Sequence, residues 1–117
     1  MRQTVLIVDD HAGFRRVARA ILEIDGYEVV GEAPDAASGL RESRRLKPTV
    51  VLLDVGLPDE SGLELAARLA AEPESPAVVL VSSRDQADLG PRVAQSGARG
   101  FIPKAELSAQ ALERLLR

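Results

Sequence analysis

The segment Val50-Val51-Leu52-Leu53-Asp54-Val55-Gly56-Leu57-Pro58-Asp59-Glu60-Ser61-Gly62 decides the reading of the fold. Its first four residues are apolar without alternation, and a strand lacking a polar face belongs where helices cover both sides of a parallel sheet. The run ends on a carboxylate, Asp54. Pro58 then stiffens a turn. Ser61 and Glu64 have the spacing of a capping box, opening a helix whose inner face reads as Leu63, Ala66, Ala67 and Ala70.

The same alternation of short β-branched runs and helical spacing extends in both directions. Upstream, a strand over Thr4–Val8 precedes a helix with Phe14, Val17, Ala18, Ile21 and Leu22 on one face and Gly26 just past its end. A second strand runs from Tyr27 to Ala33. Asp35 caps a second helix with Ala37 and Leu40 inward, which Pro48 stops after Lys47. Downstream, Ala77 to Val81 is the fourth strand. A loop expected to be mobile starts near Arg84, and a short helix starts at Pro91 and ends at Gly97. Arg99 to Pro103 is the fifth strand, and Ser108 caps a last helix with Ala111, Leu112 and Leu115 inward.

Five βα units with short right-handed crossovers predict an α/β fold, a doubly wound five-stranded parallel sheet in the flavodoxin-like order 2-1-3-4-5. At 117 residues and 45% apolar content, the reading is one domain over 1–117, with no linker or second domain. Aromatic residues are only 3%, so the core must be built mainly from Val, Leu, Ile and Ala. The absence of cysteine excludes disulfide scaffolds, thiolate metal sites and cysteine nucleophiles. With neither a spanning segment nor a signal-peptide core visible, the expected location is cytoplasmic and no membrane partner is expected. A net charge of -3 gives no case for direct nucleic-acid binding.

Ligands of such sheets sit beyond the carboxyl ends of the strands, where the winding direction switches. Asp9 and Asp10 follow the first strand, Asp54 ends the third, Ser82 ends the fourth and Lys104 follows the fifth. Three neighbouring carboxylates repel unless a cation joins them or one of them is protonated, and an all-oxygen donor set suits Mg2+. Asp10, and less directly Asp9, are placed to hold the metal. Asp54, on the most buried strand, is the expected nucleophile toward phosphorus, with Lys104 and the Ser82 hydroxyl pairing with phosphoryl oxygens. His11 reads as a residue of the helix start rather than a ligand. Arg15, Arg16 and Arg19 read as a solvated helix face.

Four segments in order, Val-Asp-Asp at 8–10, Leu-Leu-Asp-Val-Gly-Leu-Pro at 52–58 with Gly62 beyond, Val-Ser-Ser at 81–83 and Gly-Phe-Ile-Pro-Lys at 100–104, resemble the response-regulator receiver family across essentially the whole chain. The resemblance implies a bacterial two-component phosphorylation switch: a sensor histidine kinase phosphorylates Asp54, and Mg2+ is held by Asp10, Asp54 and the backbone carbonyl of Gly56. It also implies that Ser82 moves toward the phosphoryl group while Phe101 turns inward, altering a surface of the fourth helix, fifth strand and fifth helix. Phe101 departs from the tyrosine often found there, and Ala105 from a common proline, which here stands at Pro103. The Asp-Asp-His run at 9–11 and Phe14 are most similar to receivers that precede helix-turn-helix DNA-binding domains.

A flavodoxin-like electron carrier needs a hydroxyl- and glycine-rich loop after the first strand, where this chain has acidic residues. An aspartyl-phosphate phosphatase needs an Asp-x-Asp arrangement that is not visible. A receiver-fold module that no longer responds to phosphorylation is marked by loss of an acidic or lysine position, and none is lost. The expected chain is a regulatory phosphoacceptor rather than a general enzyme. It reads either as a stand-alone regulator acting on a downstream protein or as the receiver of a longer transcription factor, and as a monomer or weak homodimer.

Overall fold

The computed structural model describes residues 3–83 and 89–117. The expected loop start at Arg84 lies outside the described residues. The chain runs β1 (Thr4–Val8), α1 (Ala12–Ile24), β2 (Glu28–Ala33), α2 (Ala36–Leu46), β3 (Val50–Asp54), α3 (Gly62–Ala70), β4 (Ala77–Ser82), α4 (Arg92–Gln95), β5 (Gly100–Pro103), a 3-10 turn over Lys104–Glu106 and α5 (Ala109–Leu116). The strands form one parallel sheet in the order β2-β1-β3-β4-β5, as the sequence predicts. Gly26 and Gly97 carry φ of 93° and 83°, the left-handed conformation that lets the chain leave α1 and α4 abruptly.

Because side chains alternate along a strand, the central strands feed two separate cores. Leu6, Val8, Val51, Leu53, Val78, Leu80 and Phe101 pack with α2, α3 and α4 through Ala36, Leu65, Leu69 and Val93. Val5, Ile7, Val50, Leu52, Val79, Val81 and Ile102 pack with α1 and α5 through Ala18, Leu22 and Leu112, with Phe14 and Tyr27 partly buried against them. Every residue of β3 is buried, the burial expected of its unbroken apolar run.

Helix faces differ from the expectation in detail. Val17 is 54% exposed, because the inward stripe of α1 centres on Ala18 and Leu22; with Ile24 at 84%, the outer face of α1 is less polar than its sequence suggests. Ala37 is exposed while Ala36 and Gly39 are buried. In α3, Ala67 and Ala70 are exposed and Leu65 and Leu69 take the interior. Burying a leucine contributes about 1.5–3 kcal/mol, so leucines outcompete alanines for the inward face.

Candidate functional site

The carboxyl ends of β1, β3, β4 and β5 converge on a pocket of about 410 Å³ lined by His11, Asp54, Gly56, Ser82, Ser83 and Lys104 among others. Asp54 pairs with Val81 in the β3–β4 ladder, and the next residue continues the connection, Val55 N–H donating to the Val81 carbonyl at 3.0 Å. The following loop folds back on itself: Gly62 N–H donates to the Val55 carbonyl at 2.8 Å, and Gly56 bridges Ser61. Gly62 has to be glycine, since a Cβ there would overlap the backbone carbonyl oxygen of Asp54. The Ser61 hydroxyl caps α3 by accepting from Leu63 N–H at 3.1 Å, one residue short of the bond to Glu64 that a capping box makes.

Two carboxylates hold the start of α2. Asp35 accepts from Ser38 N–H at 2.8 Å, and Asp59, from the loop after β3, accepts from Ala36 N–H at 2.8 Å and Ala37 N–H at 3.0 Å. The free N–H groups of the first helical turn are thereby matched to acceptors. The same bonds fasten the loop carrying Gly56 to α2. Sequence reading assigns the cap to Asp35 alone, because Asp59 stands 23 residues further along the chain.

Asp54 is 4% exposed and Asp9 is fully buried. Asp54 Oδ1 accepts from Gly56 N–H at 3.1 Å, and Oδ2 lies 3.5 Å from Lys104 Nζ. Burial raises the Asp54 carboxyl above its ordinary value; the Gly56 N–H opposes this, nearby Asp9 adds to it, and Lys104 opposes it again. Asp9 Oδ1 accepts from His11 N–H at 2.8 Å, while Asp9 Oδ2 stands 2.8 Å from Lys104 Nζ in an ion pair outside hydrogen-bonding angles. Asp10 is more open, with its side chain 32% exposed.

His11 is at the N-cap of α1, as expected of a helix-start residue, but its side chain does not cap. Nδ1 instead lies 3.3 Å from Asp9 and 3.2 Å from Asp10. Asp9, Asp10, His11 and Asp54 each offer a ligand atom within 4.8 Å of the others. The carboxylates of Asp9, Asp10 and Asp54, with Asp9 Oδ2 buried and met by the Lys104 ammonium without a hydrogen bond, form a hard oxygen donor set that fits a divalent cation such as Mg2+.

Two supports of this cluster were not readable in the sequence. Lys104 Nζ lies over the Phe14 ring, 4.6 Å from its centroid. Arg15 and Arg19 are not a solvated face: their Nε atoms donate to the two oxygens of Glu32 in β2 at 2.9 Å and 2.8 Å. Arg16 remains exposed. Ser82 is buried at 5% and Ser83 exposed, though both line the pocket. Phe101 is 8% exposed, in the core layer of Leu80 and Val93.

The chain is thus a doubly wound parallel sheet with acidic residues and a lysine gathered at its carboxyl edge. The chain belongs to the response regulator receiver domain family, whose model matches residues 5–116. It is 37% identical to the regulator BvgA of Bordetella pertussis over 91% of this chain and 51% of that one. It is 39% identical to the response regulator GacA of Pseudomonas viridiflava over 86% of this chain and 47% of that one. It thus spans about half the length of these curated relatives. Among solved structures, a LuxR-family two-component response regulator from Aurantimonas sp. SI85-9A1 superposes with a TM-score of 0.89 at 28% identity, covering 99% of this chain and 86% of that one. The response regulator domain of Thermotoga maritima CheB superposes with a TM-score of 0.86 at 25% identity, covering 99% and 95%. No helix among the described residues is long and apolar enough to cross a membrane.

Proposed function

We propose that Asp54 is the phosphoacceptor of this receiver and takes its phosphoryl group from a sensor histidine kinase. The observation that carries this reading is the Asp54 carboxylate in a pocket with Lys104 at 3.5 Å and the Asp9, Asp10 and His11 ligand atoms within 4.8 Å. An Asp54 oxygen forms a bond to phosphorus as the bond from phosphorus to the donor's nitrogen breaks. Lys104 leaves its pairing with Asp9 and Asp54 to meet a phosphoryl oxygen, and the Ser82 hydroxyl donates to another. Asp10, Asp54 and the Gly56 carbonyl, with Asp9 less directly, hold Mg2+, which when bound neutralises charge on the transferring group. The chemistry is confined to the protein's own phosphorylation and dephosphorylation.

The output is a shift between two packings, with Ser82 drawn to the phosphoryl group and Phe101 repacking in its layer, so that the surface of α4, β5 and α5 changes. BvgA is named as a positive transcription regulator of virulence factors, and this chain matches half of its length. That favours a receiver controlling a C-terminal DNA-binding domain within a longer cytoplasmic protein, the receiver itself being a monomer or weak homodimer without nucleic-acid contacts. Intact mass after acetyl phosphate or phosphoramidate with Mg2+ tests the core of this reading. A gain of one phosphoryl group that disappears in Asp54→Asn is expected; an unchanged mass, or a gain that survives the substitution, overturns it.

A further inference from the structure

Arg15 reaches from the first turns of α1 to two acceptors on different elements. Its Nε donates to Glu32 Oε1 at 2.9 Å and its Nη1 to the backbone carbonyl of Asp9 at 2.6 Å, with its side chain only 18% exposed. The ladder between β1 and β2 ends at Val8 with Ala33, so the Asp9 carbonyl lies past the last strand-to-strand pair on that side. Asp9 N–H still donates to the Ala33 carbonyl of β2 at 2.9 Å. The peptide joining Asp9 to Asp10 is therefore fixed at its oxygen by Arg15 rather than by the sheet. Its plane sets the direction in which Asp10 departs.

Glu32 makes this contact rigid. Its second oxygen accepts from Arg19 Nε at 2.8 Å, while Arg19 Nη1 donates to the Val29 carbonyl at 3.3 Å. A planar guanidinium supplies two N–H vectors at a fixed angle, one for each acceptor; an ammonium carries the same charge without that geometry. We infer that Arg15, locked by Glu32, is a positioning residue for the acidic pair, orienting the Asp9–Asp10 peptide so that the cluster binds a divalent cation. The inference rests on the reading that Asp9, Asp10 and Asp54 hold Mg2+.

Charge and geometry give opposite signs at this position, which makes the role measurable. Removing a cation from beside an acidic site tightens Mg2+ binding if only electrostatics acts. Losing an outer partner that orients ligands weakens it, typically by about 10- to 100-fold. Titration calorimetry with MgCl2 on Arg15→Gln, Arg15→Lys and, as control, Arg16→Gln reads the difference. The expected result is a dissociation constant raised about 10-fold in both Arg15 variants. Arg16→Gln stays unchanged, and NMR amide shifts in the Arg15 variants are confined to residues 9–11 and their β2 neighbours. Should Arg15→Gln not fold, Arg15→Lys alone decides. Arg15→Lys binding like the wild type, or Arg15→Gln binding more tightly, overturns the inference. A wild-type protein that shows no Mg2+ binding overturns the underlying reading instead.

Discussion

The ammonium of Lys104 stands over the ring of Phe14, 4.6 Å from its centroid, while the same nitrogen is 2.8 Å from Asp9 and 3.5 Å from Asp54. The cation sits nearer Asp9 than Asp54, and the aromatic face adds a third attraction beside the two carboxylates. Such a contact contributes about 0.5–2 kcal/mol depending on desolvation. Phe14→Leu keeps the apolar bulk and removes the quadrupole. The rate of phosphorylation by phosphoramidate should fall several-fold while the thermal midpoint moves little. An unaltered rate would show that Lys104 needs no such support.

Gly62 is the second position at which the fold bears directly on Asp54. Overpacking typically costs about 1–3 kcal/mol, and here the obstruction is backbone rather than a flexible side chain. Gly62→Ala is expected to lower stability in urea by at least that amount and to slow phosphorylation as the strand end is displaced. A variant as stable and as reactive as the parent would contradict the close approach.

Asp59 links pH to the loop after β3. Its carboxyl is held below the ordinary range by the N–H groups of Ala36 and Ala37, and that of Asp35 by the Ser38 hydroxyl and N–H. A lowered folded pKa means the unfolded chain takes up protons first, so the stabilisation is complete above the unfolded value and disappears as pH falls through the folded one. Asp59→Ala should lower the melting temperature near neutral pH, and the gap to the wild type should close in acid below the ordinary carboxylate range. A gap constant across that range would sink this assignment.

Mg2+ should stabilise as well as activate. Carboxylates that repel one another in the folded state are relieved by the ion, and a ligand at 100 times its dissociation constant adds about 2.7 kcal/mol if the unfolded chain does not bind it. Calorimetric melting with MgCl2 and then with excess EDTA should show a reversible rise, absent in Asp10→Asn. Persistence of the full rise in that variant would place the ion elsewhere.

The strands, their order and the placing of Asp9, Asp10, Asp54, Ser82 and Lys104 at one edge were legible because strand burial and βα alternation leave a periodic trace and topology does the rest. Less legible were features that depend on which distant side chain arrives. In α3 the alanines carry too little apolar surface to announce a face, and Leu65 and Leu69 determine it. Arg15 and Arg19 look solvated along the helix because Glu32 lies 17 and 13 residues away. Asp59 caps a helix starting 23 residues before it, outside any local capping pattern.

The division of the interior by the sheet also governs how the molecule can be watched. The chain has no tryptophan and one tyrosine, and Tyr27 packs in the layer of α1 and α5, whereas Phe101 lies in the opposite layer. Intrinsic ultraviolet emission is therefore a one-sided observer, sensitive to events beside Leu22 and Leu112. Changes around Phe101 call for a reporter of their own, such as fluorine on that ring.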